Sequence, residues 1–240
     1  MNRTYFGDTR DLFKFDLVRH IMKAIPVFDS FTFIPMLTDT PVQAGRKKSA
    51  ARDLKKATKL GRAGSQNRDL VTHMERLQEI DNDLEYFQTI HDYFKKENIL
   101  VDILHKEQFS HEGRSRYFDT ILSRLPNKTL IFLDPDIGLE ESRPTEKHLL
   151  FEEVERIAKG MDDHSILVIY QHFPRLKHDG YVRHRCSQLA EIAGADPLTI
   201  TDNEIVFFLI ARNEKLKSRL EAVLELYADT YPVLSSSGSS

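Results

Sequence analysis

The chain reads as one α/β domain: a doubly wound, mainly parallel sheet with helices on both faces and a C-terminal antiparallel strand pair. Three observations predict it. From Ile99 onward, short apolar runs alternate with helix-length amphipathic segments, the pattern of parallel strands joined by crossover helices. The last two runs, 197–201 and 204–211, are separated by only Asp202-Asn203, too short for a crossover helix, so they must turn back on each other. A chain of 240 residues, 40% hydrophobic with 15 Phe, is large enough for one continuous core.

Each element has its own signal. Leu12, Phe13, Phe15, Leu17, Val18, Ile21 and Met22 recur at helical spacing behind the capping pair Asp8-Thr9, giving a helix over 8–24 that Pro26 ends. The β-branched and aromatic run 31–37 is a strand, with Pro35 marking a bend or a sheet edge. Residues 38–45 form a loop, and a basic helical insertion follows around 44–97. Within it, a helix over 49–60 is broken at Gly61, Gly64 and Ser65, and a helical region over 69–96 is split near Asp81-Asn82-Asp83. Then come a strand at 99–104, a helix at 117–125, a strand at 129–133, a helix at 145–159 and a strand at 165–170. A helix at 180–193 precedes the strand pair, and a helix at 214–227 closes the domain, which spans 1–234. The serine-rich stretch 235–240 is expected to be a disordered tail.

Composition narrows the function classes. The single cysteine, Cys186, excludes an intramolecular disulfide framework and a cysteine-based zinc cluster. The charged N-terminal stretch lacks the apolar core of a signal peptide or a membrane span, which predicts a cytoplasmic protein without a membrane partner. Formal net charge is −3, yet residues 46–68 carry nine Lys/Arg against one acid, Asp53. Arg46, Lys47, Lys48, Arg52, Lys55, Lys56 and Lys59 are therefore candidates for nucleic-acid contact, and the absence of interleaved aromatics favours phosphate over base. A solvated helix face is the plainer explanation of the same charges. The sequence does not set an oligomeric state.

Ligands of open α/β sheets bind outside the carboxyl ends of the strands. Those ends deliver Thr38-Asp39, then Asp134-Pro135-Asp136, then Gln171-His172. Asp134 and Asp136 sit where the backbone leaves the core and Pro135 stiffens that exit, although strand termination alone would also suit them. His172 is a candidate base or a satisfied hydrogen-bonding residue. Gly7, Asp8, Asp11 and Lys14 form a helix entry with an (i, i+3) ion pair, or else a ligand-contacting lid.

Taken in order, these segments resemble the Rossmann-type S-adenosylmethionine-dependent methyltransferases, in particular the bacterial adenine-N6 methyltransferases of large-subunit ribosomal RNA. Their opening Gly-Asn-x-x-Asp-x-x-Lys-His is similar to Gly7-Asp8-Thr9-Arg10-Asp11-Leu12-Phe13-Lys14-Phe15, and their Asp-Pro-Pro-aromatic motif to Asp134-Pro135-Asp136-Ile137. The resemblance implies S-adenosylmethionine as cofactor, held by Gly7, Asp8, Asp11, Lys14, Thr38 and Asp39. It implies Asp134, Pro135, Asp136 and His172 as the reacting edge, and nucleic acid as substrate. Asp136 stands where the family has a second proline, and Ile137 where it has an aromatic. Two other classes fit the same residues. Asp134, Asp136 and Glu140 are hard oxygen ligands within seven residues and suit Mg²⁺ in a metal-dependent nuclease. A non-catalytic nucleic-acid-binding protein on this fold is the third.

Overall fold

The computed structural model describes residues 1–38, 53–174 and 177–237. Asp8 starts the first helix, α1 (Thr9–Ala24), by accepting from the backbone N–H groups of Arg10 and Asp11 at 2.8 and 3.2 Å. A carboxylate there satisfies orphan donors and complements the helix dipole. Strand β1 (Ser30–Pro35) follows and is buried along its whole length. The expectation that Pro35 marks a bend or an edge is corrected: β1 runs inside the sheet. Pro35 is its last residue, where one missing donor is tolerated, and Met36 resumes by donating to the Asp134 carbonyl at 3.2 Å.

The insertion comprises α2 (Leu54–Lys59), α3 (Arg68–Leu77) and α4 (Asp83–Lys96), with the break before α4 set by Asn82, whose side chain accepts from Leu84 and Glu85. Asp39, Arg46, Lys47, Lys48 and Arg52 lie outside the described residues. The edge strand β2 (Val101–Ile103) leads into α5 (Arg114–Leu122), then β3 (Thr129–Asp134). The helix expected over 145–159 starts only at Phe151. Residues before it form a turn, Thr145 N–H donating to His148 Nδ1 at 3.1 Å, and a two-residue strand. That strand, β5 (His148–Leu149), pairs with β4 (Gly138–Leu139) beside the main sheet, ahead of α6 (Phe151–Gly160). The chain continues through β6 (Ile166–His172), α7 (His178–Ala193), β7 (Leu198–Thr201), β8 (Ile205–Ile210) and α8 (Glu214–Thr230). Ser235–Ser237, expected to belong to a disordered tail, instead form β9 against Thr199–Thr201; their backbone finds partners on the open edge of β7.

The seven strands lie in the order β2-β1-β3-β6-β8-β7-β9. The first four are parallel, and β8 runs antiparallel between β6 and β7, so the C-terminal strand pair is present as expected. Alternate residues of each strand face opposite layers. Phe31, Phe33, Phe132 and Phe207 pack into one core with α1, α3, α4 and α8, while Ile34, Ile131, Leu133 and Phe208 pack into another with α5, α6 and α7. Both faces are therefore covered. After β1 the chain moves outward to β2 and then returns past β1 to β3, which makes the carboxyl ends of β1 and β3 a topological switch point.

Candidate active site

A cavity of about 400 Å³ opens at that switch point. The end of β3 supplies Asp134 and the turn after it Pro135 and Asp136, the cap and first turns of α1 supply Asp8, Asp11 and Lys14, and the end of β6 supplies His172. Residues more than 100 positions apart in sequence thus share one wall. Arg10, Tyr5, Ile137, Lys147 and Tyr170 also line the cavity.

Lys14 is the centre of its electrostatics. The side chain is 4% exposed, and its Nζ donates to Asp11 Oδ1 at 2.8 Å and to Asp134 Oδ2 at 2.7 Å. Burial by itself would lower the Lys14 pKa, but Asp11 and Asp134 outweigh it and hold the ammonium charged. Burial pushes Asp134 up, opposed by Lys14. Asp11 is fixed from further sides, accepting from Gly7 N–H at 2.9 Å and from the Tyr86 hydroxyl at 3.0 Å. The buried Met1 amine donates to the Met36 carbonyl at 2.7 Å, beside the Asp134 carbonyl. Burial lowers that amine to about 6.

Asp8 differs from Asp11. Its Oδ1 caps α1, while Oδ2 is buried with no hydrogen-bond partner and has only the Arg10 guanidinium at 3.5 Å. Burial first, then the charge of Asp11, raises its pKa to about 7. Asp136 Oδ2 accepts from Thr38 Oγ1 at 3.1 Å and has Lys147 Nζ at 3.8 Å. Burial and Arg10 lower the His172 imidazole, which keeps it neutral near pH 7, and burial holds the Tyr170 phenol well above its ordinary value. The site therefore offers a neutral base, a protonated phenol and a carboxyl group poised between its two states.

Not every expected residue faces the cavity. Gly7 is structural: at φ +71° its missing side chain lets α3 approach, since a Cβ there would come within 2.4 Å of the Met74 carbonyl oxygen. Glu140 turns away, its Oε1 accepting from Phe151 N–H at 2.7 Å at the start of α6. Among the described residues, no group of three or more His, Cys, Asp or Glu is arranged to hold a metal ion, so Asp134, Asp136 and Glu140 do not form the ligand set expected for Mg²⁺. Gln171 is also structural, with Oε1 accepting from Leu139 N–H at 2.8 Å to fasten β4. Lys55, Lys56 and Lys59 are exposed on α2. The segment after α2 is tied by Arg62 to Glu204, at 2.8 Å, in the turn that precedes β8 and flanks the carboxyl end of β6. Sequence reasoning missed Tyr170, which adjoins the Gln171-His172 strand end, and Arg10, which lies inside the N-terminal segment it singled out. Tyr5 opens the N-terminal segment weighed as a lid without being a named candidate, and Lys147 had no signal.

The chain matches no family profile, no curated protein and no solved structure. No described helix is long and apolar enough to cross a membrane.

Proposed function

We propose that the chain is an S-adenosylmethionine-dependent methyltransferase-like protein acting on nucleic acid. The observation that carries this reading is the meeting of Asp134-Pro135-Asp136 with Asp8, Asp11 and Lys14 around one cavity, the two segments that carry the family resemblance. The reversed strand β8 next to β6 agrees with it.

The residues present suit the cofactor. A volume of about 400 Å³ is in the range of small-molecule sites. The orphaned Asp8 Oδ2 needs a donor, and the ammonium or a ribose hydroxyl of S-adenosylmethionine provides one. Arg10 and Lys147 would face its carboxylate, and Tyr5 and Ile137 offer apolar surface to its base. When bound, the cofactor supplies an activated methyl group. Pro135 fixes the turn, and His172 can take a proton from the accepting nucleophile. The exposed Lys55, Lys56 and Lys59 would contact phosphate.

Calorimetric titration with S-adenosylmethionine, followed by transfer of labelled methyl to RNA and DNA, tests the proposal. Heat with wild type and weaker heat with Asp136→Asn are expected; the absence of both heat and transferred label overturns the proposal. A second reading, a non-catalytic nucleic-acid-binding protein, is favoured by one contact: Lys14 Nζ already occupies Asp134 at 2.7 Å. Oligonucleotide binding without cofactor heat is its signature.

A further inference from the structure

A second depression lies where the edge strand β2 ends, between the start of α4 and the outer side of α5, with a volume of about 780 Å³. Its charge is uneven. Lys106, Arg116 and Arg124 line it against a single acid, Glu107. The neighbouring cations on this side of the fold are neutralised, Arg114 by Glu153 at 3.2 Å and Arg156 by Asp119. By contrast, among the described residues no ion pair or hydrogen bond engages the side chains of Lys106, Arg116 or Arg124, and the one side-chain bond reaching Arg116, from Thr120 Oγ1 at 2.8 Å, ends on its backbone carbonyl.

The floor is aromatic and contains an unsatisfied polar atom. His105 packs on Tyr117 with ring centroids 4.3 Å apart, and Tyr117 is locked by donating its hydroxyl to the Pro35 carbonyl. His105 Nδ1 is buried with no hydrogen-bond partner. Burial lowers its pKa, Glu107 opposes this, and Arg124 and Arg116 lower it further, so both guanidiniums act at the imidazole. Gly113, where α5 begins without any side-chain cap, also borders the groove and adds the positive end of that helix. Arg116, Thr120 and Arg124 are spaced four residues apart, so α5 and the turn after it present one stripe to the groove. Unpaired guanidiniums, an open helix end and an aromatic floor suit an anion bearing several oxygen acceptors and attached to a ring.

We propose that this groove binds the phosphate of a nucleotide, with Arg116, Arg124 and Lys106 around the phosphate and His105 beneath the nucleoside. A free nucleotide and a nucleotide within a single strand present the same chemistry, and the experiment separates them. The full chain is titrated with ATP by calorimetry and, in parallel, with a labelled single strand of roughly 12 nucleotides by fluorescence anisotropy at several salt concentrations. The double variant Arg116→Gln/Arg124→Gln removes two exposed side chains, and circular dichroism confirms its fold. Binding by at least one ligand is expected, weakened about tenfold or more in the double variant. For the strand, the dependence of log K on log salt should flatten by about one to two. Response to ATP alone assigns the groove to free nucleotides, and response to the strand alone assigns it to nucleic acid. Unchanged affinity in the double variant, or no binding of either ligand at low salt, overturns the proposal. S-adenosylmethionine is titrated separately, so failure of the cofactor reading at the switch point leaves this result standing.

Discussion

Lys14 holds together the carboxylates of two distant segments, and its removal is correspondingly costly. With Lys14→Met, Asp11 and Asp134 would remain buried without their shared cation, each having a side chain less than 10% exposed. Breaking a buried pair from one side destabilises by about 3–5 kcal/mol, so the urea midpoint should fall steeply; a loss below about 1 kcal/mol would show the pair to be solvated. Asp8 makes a different prediction because its charge is the problem. Its folded pKa of about 7 lies above an unfolded value near ~3.9. The native state therefore binds the extra proton, and this contribution, complete below the unfolded value, is lost as pH rises through about 7. Asp8→Asn keeps an acceptor for the cap and cannot ionise. Relative to wild type it should gain stability between pH 5 and pH 8, on the order of 3 kcal/mol at most. Glu153, also raised by burial to about 7, titrates in both proteins and cancels in the comparison. Urea unfolding of the two proteins at both pH values measures the difference, and parallel pH profiles would contradict the assignment.

Among the elements, β4 and β5 show where sequence is silent. Two-residue strands have no periodicity, and the stretch from Thr145 to Leu150 reads as helix because its polar and apolar residues are spaced as one. What excludes the helix is tertiary: Leu139 N–H is taken by Gln171, and Glu140 N–H donates to the Leu149 carbonyl at 2.8 Å. Gly138 makes this possible. It adopts φ +140°, and a Cβ there would lie 2.4 Å from the Gln171 side chain. Gly138→Ala should therefore expel Gln171 and release the small sheet at a cost of more than about 1 kcal/mol. Faster proteolysis between Leu139 and Leu149 with the main sheet intact would report it; an unchanged cleavage pattern would mean that Gln171 moves without consequence. By contrast, α1, β3, β6 and the β7–β8 pair were legible because each carries a local signal, a cap, an apolar run or a turn too short for a helix. The candidate site was legible for the same reason. Strand ends point to Asp134, Asp136 and His172, whereas Lys147 reaches the cavity from a turn whose local pattern reads as helix.

At the scale of the molecule, β1, β3, β6 and most of β8 are covered on both faces and have hydrogen-bonded neighbours on both sides. β9 is an edge strand of partly exposed serines held by one neighbour, and β4–β5 form a separate two-stranded sheet. Local opening costs little where few apolar contacts must be broken, and approaches the global unfolding free energy where strands are enclosed. Native-state hydrogen exchange should thus resolve three tiers. Amides of β3 and β6 should exchange only through global unfolding, those of β4 and β5 through opening around Gln171, and those of β9 with little protection. The turn after β3 gives this hierarchy its functional bearing: the Asp134 backbone belongs to the slowest tier, while Ile137, whose carbonyl accepts from His172 N–H of β6 at 2.8 Å, donates its N–H to the Lys147 carbonyl at 3.1 Å, a bond that is lost when the small sheet opens. A ligand entering the cavity therefore meets one rigid wall and one that can open. Equal protection of β3 and β4 amides would make the cavity rigid throughout, and slower exchange at Ile137 on adding S-adenosylmethionine would mark the mobile wall as the one the ligand closes.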